Sequence, residues 1–144
     1  MRLRETFSVR CPPNVVFDYV VQPGNLADWQ TSKTFVEQIT DGPPRLGTRV
    51  RERTKVPGRK EWEQIVEVVE FERPRRFRAQ IVEGPAPGDG CWTFERDGDQ
   101  TRVHFEALVE LSGPMRLLQP VVKLAMARSF ATYHRNLRRN VEAL

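Results

Sequence analysis

The sequence is poor in cysteine. Cys11 and Cys91 stand far apart, in no spacing that a thiolate metal site uses, and two residues cannot form a multi-disulfide framework. Free thiols are the expectation for both. Long apolar runs are also missing: none approaches the ~20 residues a membrane-crossing helix needs. The first ten residues, MRLRETFSVR, alternate charged and apolar side chains and contain no signal-peptide core, so the expected location is cytoplasmic. No HExxH, glycine-rich phosphate loop, G-x-S-x-G or paired-cysteine motif occurs, which leaves no metal or nucleotide cofactor implied. There is no internal repeat and no low-complexity linker.

Charge of one sign is not concentrated either. Lysine and arginine number 23 against 19 aspartates and glutamates, a net charge of +4. The arginines run along the whole chain and alternate with acids, notably between Glu61 and Glu72. A phosphate-binding stripe would cluster them, so nucleic acid is not an expected partner.

What is present is 39% apolar residues over 144 positions, enough for one domain (1–144) that buries about two thirds of its unfolded surface. Turn signals divide the chain: Pro23-Gly24, Gly42-Pro43-Pro44, Pro57-Gly58, Arg73-Pro74, the GPAPGDG segment at 84–90, Asp97-Gly98 and Gly113-Pro114. Between them lie seven strand-length segments, mostly alternating with period two: 3–10, 35–40, 48–56, 62–71, 77–83, 91–96 and 101–111. The short links after the second of these favour an antiparallel meander. From Met115 to Leu144 the period changes. Val122, Met126, Phe130, Tyr133, His134, Leu137, Val141 and Leu144 share one helical face, with Arg128, Arg135, Arg138 and Arg139 opposite. That stripe must be buried, and one face of the sheet is the surface large enough to take it. The fold class is α+β: a seven-stranded curved antiparallel sheet wrapped around a long C-terminal helix, with two short helices after the first strand.

Those two helices carry a resemblance. Pro12-Pro13 after the first strand, Val16-Phe17, a Pro-Gly break, then Leu26 and Trp29 resemble the START-like (SRPBCC) superfamily of polyketide cyclase/dehydrase and lipid-transport proteins, which has the helix-grip fold. Leu46-Gly47-Thr48, Val68-Val69-Glu70 with Pro74-Arg75-Arg76-Phe77, and Gly98 to Val103 extend the similarity over essentially the whole chain. The resemblance implies an apolar cavity between sheet and helix, with Trp29 on the rim of its mouth, and a small hydrophobic partner such as a lipid, polyketide or aromatic metabolite.

Alternation then assigns faces. Arg49, Arg51, Arg53 and Lys55 share one face of the third strand and are placed in solvent, because four unpaired cations are costly to bury. Val50, Glu52 and Thr54 therefore point inward, with Gln64 on the neighbouring strand. Trp62, Ala79, Ile81 and Phe105 supply candidate wall, and Met126, Phe130 and Tyr133 supply the helix side. The orientation of Trp62 and of Trp92 is open. Glu52, as a carboxylate at a cavity wall, and Tyr133, as a phenol, are the candidates for acid/base chemistry, and the alternative to a pure binder is a polyketide aromatase/cyclase or dehydratase. A protein-interaction module is a third class. His104 falls on the face opposite Val103 and Phe105. Neither it nor His134 has a carboxylate at a fixed spacing, so both are expected at solvated or edge positions. The start of the last helix, PVVKLAMA at 120–127, is apolar nearly all round. Either the Phe35 and Leu26 region covers its second face, or another molecule does: a homodimer partner or a membrane surface touched without insertion.

Overall fold

The first strand, β1 (Arg2–Val9), alternates Leu3, Glu5, Phe7 and Val9 on one face with arginines and hydroxyl residues on the other. In the computed structural model, which describes residues 1–56 and 61–144, it pairs antiparallel with β7 (Gln100–Val109). Leu3 lies opposite Ala107, Phe7 opposite Val103 and Val9 opposite Thr101, so two apolar rows merge into one inner face. The intervening strands are β2 (Lys33–Gln38), β3 (Arg49–Thr54), β4 (Trp62–Glu72), β5 (Arg76–Glu83) and β6 (Gly88–Asp97). Their order across the sheet is β1-β7-β6-β5-β4-β3-β2, a meander closed by the first strand returning beside the last. Shifts of register within the β2–β3 and β4–β5 pairs mark bulges, which bend and twist a sheet. The Pro57-Gly58 turn lies outside the described residues.

The β6–β7 hairpin closes on two residues, Gly98 and Asp99, and Gly98 has a φ of +63°, the left-handed value that a tight hairpin asks of its first loop position. The 84–90 segment is not wholly a loop. Gly88 already pairs with Val109, because ladder hydrogen bonds to β7 outweigh the turn preference of a glycine-rich run.

After β1 come α1 (Pro13–Val21), a 3-10 turn at Pro23–Asn25 and α2 (Leu26–Trp29). Pro13 sits in the first turn of α1, where a missing N–H costs nothing. Val16, Phe17 and Val20 are buried, and the Phe17 ring meets Phe71 and Phe94 edge-on at 5.2 and 5.5 Å. Burying a side chain of that size contributes roughly 1.5–3 kcal/mol.

A 3-10 turn at Gly113–Leu118 leads into α3 (Gln119–Glu142). The turn takes the start of the expected helix because Pro114 and Pro120 limit regular hydrogen bonding there. Only the second half of α3 is seated: His134, Leu137 and Val141 are buried, while Met126, Phe130 and Tyr133 are half-buried at the edge of the core. Val121 and Leu124 are exposed, so the Phe35 and Leu26 region does not cover the helix start. No helix among the described residues is long and apolar enough to cross a membrane.

Candidate ligand site in the grip

Two groups of polar side chains stand on the otherwise apolar inner face of the sheet. The first lies on β2, β3 and β4. Register places Glu52 opposite Gln64 and Thr54 opposite Trp62, so Val50, Glu52 and Thr54 do face inward and Trp62 is an inner-face residue. The Arg49, Arg51 and Arg53 row is on the outer face and is paired there, with Glu67, Glu37 and Glu63.

Glu52 is buried, and its charged partner is a lysine rather than an arginine. Lys33 Nζ lies 2.9 Å from Glu52 Oε1 and donates to Thr54 Oγ1 at 3.0 Å, while Gln64 Nε2 donates to Glu52 Oε1 at 3.1 Å. Oε1 of this carboxylate is therefore already engaged by an ammonium and an amide. Strict alternation would put Lys33 outside with Phe35 and Glu37. The register shift between Lys33 and Phe35 turns it inward, opposite Thr54. Next to it, the hydroxyl of Tyr133 is hydrogen-bonded to that of Ser32.

The second group joins β1, β6 and α3. His134 is 1% exposed, and its two ring nitrogens meet Glu5 Oε1 at 2.5 Å and Trp92 Nε1 at 3.1 Å. An indole N–H can only donate, so His134 Nε2 accepts and its Nδ1–H donates to the Glu5 carboxylate. The ring is packed face-on to Phe7, with centroids 4.6 Å apart. The expectation of an edge histidine without a carboxylate is therefore corrected. Spacing along one chain could not reveal a partner that arrives from the other end of it. His104 does lie on the outer face, but it too has a carboxylate within reach, Glu95 Oε2 at 3.3 Å.

Trp29 also differs from expectation. It is 1% exposed, in the core rather than on a rim, with its ring stacked near His134 and edge-on to Trp92. Its Nε1 is buried with no acceptor among the described residues. The single turn of α2 drops the indole between α3 and the sheet, where its large apolar area stabilises most. Trp92 points inward, opposite Phe105.

Between β1, β7 and α3 lies a pocket of about 200 Å³. Leu3, Glu5, Phe105, Ala127, Phe130 and Ala131 line it, along with Arg4. Of the expected ligand contacts it gathers Phe105 and Phe130. Val50, Glu52, Thr54, Trp62, Gln64, Ala79 and Ile81 lie on the inner face further across the sheet, and Met126 and Tyr133 on the helix above it.

A family model described as polyketide cyclase/dehydrase and lipid transport matches residues 1–142. The chain belongs to that family. Solved structures agree on the fold of this family member. TTHA0849 from Thermus thermophilus is 23% identical, with a TM-score of 0.86 over 99% of this chain and 98% of that one. A START superfamily protein from Mycobacterium smegmatis is 16% identical, with a TM-score of 0.80 over 99% and 97%. The di-domain aromatase/cyclase StfQ of the steffimycin biosynthetic pathway is 20% identical, with a TM-score of 0.66 over 97% of this chain and 44% of its own. No protein of curated function matches the sequence. At these identities the likeness establishes the helix-grip fold. The chemistry has to be argued from the side chains of this family member.

Proposed function

We propose that the chain, acting as one domain in the cytoplasm, binds a small hydrophobic molecule between the inner face of the sheet and α3. The observation that carries this reading is the uneven seating of the helix. Its last turns are locked into the core through His134, Leu137 and Val141, while Met126, Phe130 and Tyr133 are half-buried, Phe130 against an apolar pocket. A concave, mostly apolar site with a few convergent polar groups is the usual form of a small-molecule site. Family membership supports the same class of ligand.

The cyclase or dehydratase alternative has less support from the residues first nominated for it. Glu52 is engaged by Lys33 and Gln64, and the Tyr133 hydroxyl by Ser32. Catalysis by either group would require those partners to yield to a substrate.

Native mass spectrometry of gently purified protein, followed by titration with fatty acids and polyphenols, tests the proposal. Retention or stoichiometric uptake of one apolar molecule is the expected result. No uptake of any of them at concentrations up to the millimolar range, a Kd near the weak limit of specific binding, would overturn it.

A further inference from the structure

A carboxylate on an apolar sheet face is expensive unless its oxygens are satisfied. Glu5 shares its face with Leu3 and Phe7, yet only Oε1 has a protein partner among the described residues, the N–H of His134. Its side chain remains 30% exposed, and it lines the pocket between β1 and α3. Oε2 is thus left as an open acceptor at the edge of an apolar chamber.

Every hydrogen bond behind that oxygen runs in a forced direction. Trp92 donates to His134, and His134 donates to Glu5. Both nitrogens of His134 are consumed, and its ring is held against Phe7 and Phe105. The histidine cannot itself take a proton from a bound molecule while these bonds persist. It positions the Glu5 carboxylate.

The chamber also limits size. At about 200 Å³ it is smaller than the ~300 Å³ at the low end for drug-sized ligands. Ala127 and Ala131, one turn apart on α3, are what leave it open. That space matches a one- or two-ring body against Phe105 and Phe130 better than a long acyl chain. Arg4 also lines the pocket, and its guanidinium disfavours a cationic ligand there.

We infer that Glu5, set by His134 and Trp92, is the hydrogen-bond anchor of a pocket between β1 and α3 for a compact ring compound bearing a hydroxyl group. This rests on the hydrophobic-ligand reading above and narrows it. The hydroxyl donates to Glu5 Oε2, and the ring fills the space beside the two alanines.

Equilibrium dialysis of the full chain with 2-naphthol and with 2-methoxynaphthalene tests it, since the two share a body and differ in the donor. The native protein should bind 2-naphthol roughly tenfold more tightly, the scale of one hydrogen bond to a charged acceptor. In Glu5→Gln the side-chain carbonyl keeps His134 and the amide N–H₂ turns to the pocket. The preference should then fall to within about twofold, or reverse toward the methoxy compound. Ala131→Phe should abolish uptake of both.

Equal affinity of the native protein for the two compounds overturns the inference, as does a preference that survives in Glu5→Gln. The native comparison and Ala131→Phe stand even if Glu5→Gln fails to fold. Fatty acid uptake without a naphthol preference would sink this inference alone and leave the broader binding proposal intact. Failure of every apolar probe sinks both.

Discussion

The ammonium of Lys33 lies 2.9 Å from the carboxylate of Glu52, with both side chains only 9% exposed, on a sheet face that is otherwise largely apolar. Such a pair is held against its own desolvation, and Thr54, which accepts from Lys33, and Gln64, which donates to Glu52 Oε1, help to offset that cost. Its two members should therefore behave very differently when lost singly and together.

Lys33→Met should destabilise the protein by about 3–5 kcal/mol, since it strands a buried carboxylate. The double variant Lys33→Met/Glu52→Leu should recover most of that loss. Urea unfolding of the native, single and double forms measures it. A double variant no more stable than Lys33→Met would show that the pair is not the source of the effect.

The two buried tryptophans offer a matched comparison. Trp92 donates its N–H to His134, whereas the Trp29 N–H has no acceptor among the described residues. Both are buried and both touch the same imidazole ring. Trp92→Phe leaves His134 Nε2 without its donor and should cost about 1–3 kcal/mol more than Trp29→Phe. Equal losses in thermal or denaturant unfolding would contradict the hydrogen-bond direction assigned to His134.

Much of the fold was legible because the period of the hydrophobic pattern changes where the architecture changes. Val103, Phe105 and Ala107 alternate, and that alternation puts them on one face, where the structure sets them opposite the inner-face row of β1. The stripe through Phe130, His134, Leu137 and Val141 announced α3 in the same way. The outward Arg49, Arg51 and Arg53 row was legible from burial cost alone.

The polar sites were less so, for two physical reasons. Lys33 is turned inward by a bulge, and one extra residue reverses the parity on which face assignment depends. Glu5 and His134 meet only because strand order brings the first strand beside the last, under the helix. The one local sign was Glu5 itself, an acid on the same strand face as Leu3, Phe7 and Val9. A charged residue at a core position marks a partner still to be found.

The two thiols should differ sharply in reactivity. Cys91 is buried on the outer face of the sheet, and desolvation raises its pKa, although Arg76 and Arg78 beside it pull the other way. Cys11 is half-buried, with its thiol directed at the Val141 carbonyl 3.6 Å away. Because the thiolate is the reacting form, iodoacetamide at neutral pH should modify Cys11 first and Cys91 only after unfolding. Peptide mass spectrometry over a time course reads the order, and early labelling of Cys91 would refute it.

Glu142 ties the end of α3 to the end of β1, and its contribution should depend on pH in a defined direction. The backbone N–H of Arg10 donates to Glu142 Oε2 at 2.8 Å, and the Arg10 guanidinium reaches Oε1 at 3.4 Å. The backbone hydrogen bond foremost, with the Arg10 side chain and Arg138 adding to it, holds this carboxyl below the ordinary glutamate range in the folded protein. A carboxyl whose folded pKa is lowered binds protons more weakly when folded, so acid favours the unfolded chain. The stabilisation is fully present above the ordinary glutamate pKa of about 4.3 and is lost as pH falls through the lowered folded value. Glu142→Gln removes the charge and keeps the carbonyl, so it should be less stable than the native protein by roughly 1 kcal/mol at pH 7. That gap should hold down to about pH 5 and close below about pH 4. Urea titrations of both forms across this range measure the difference directly, and other acids cancel in the comparison. A gap that stayed constant into strong acid would mean that packing of the side chain, rather than its charge, fastens the helix end to β1.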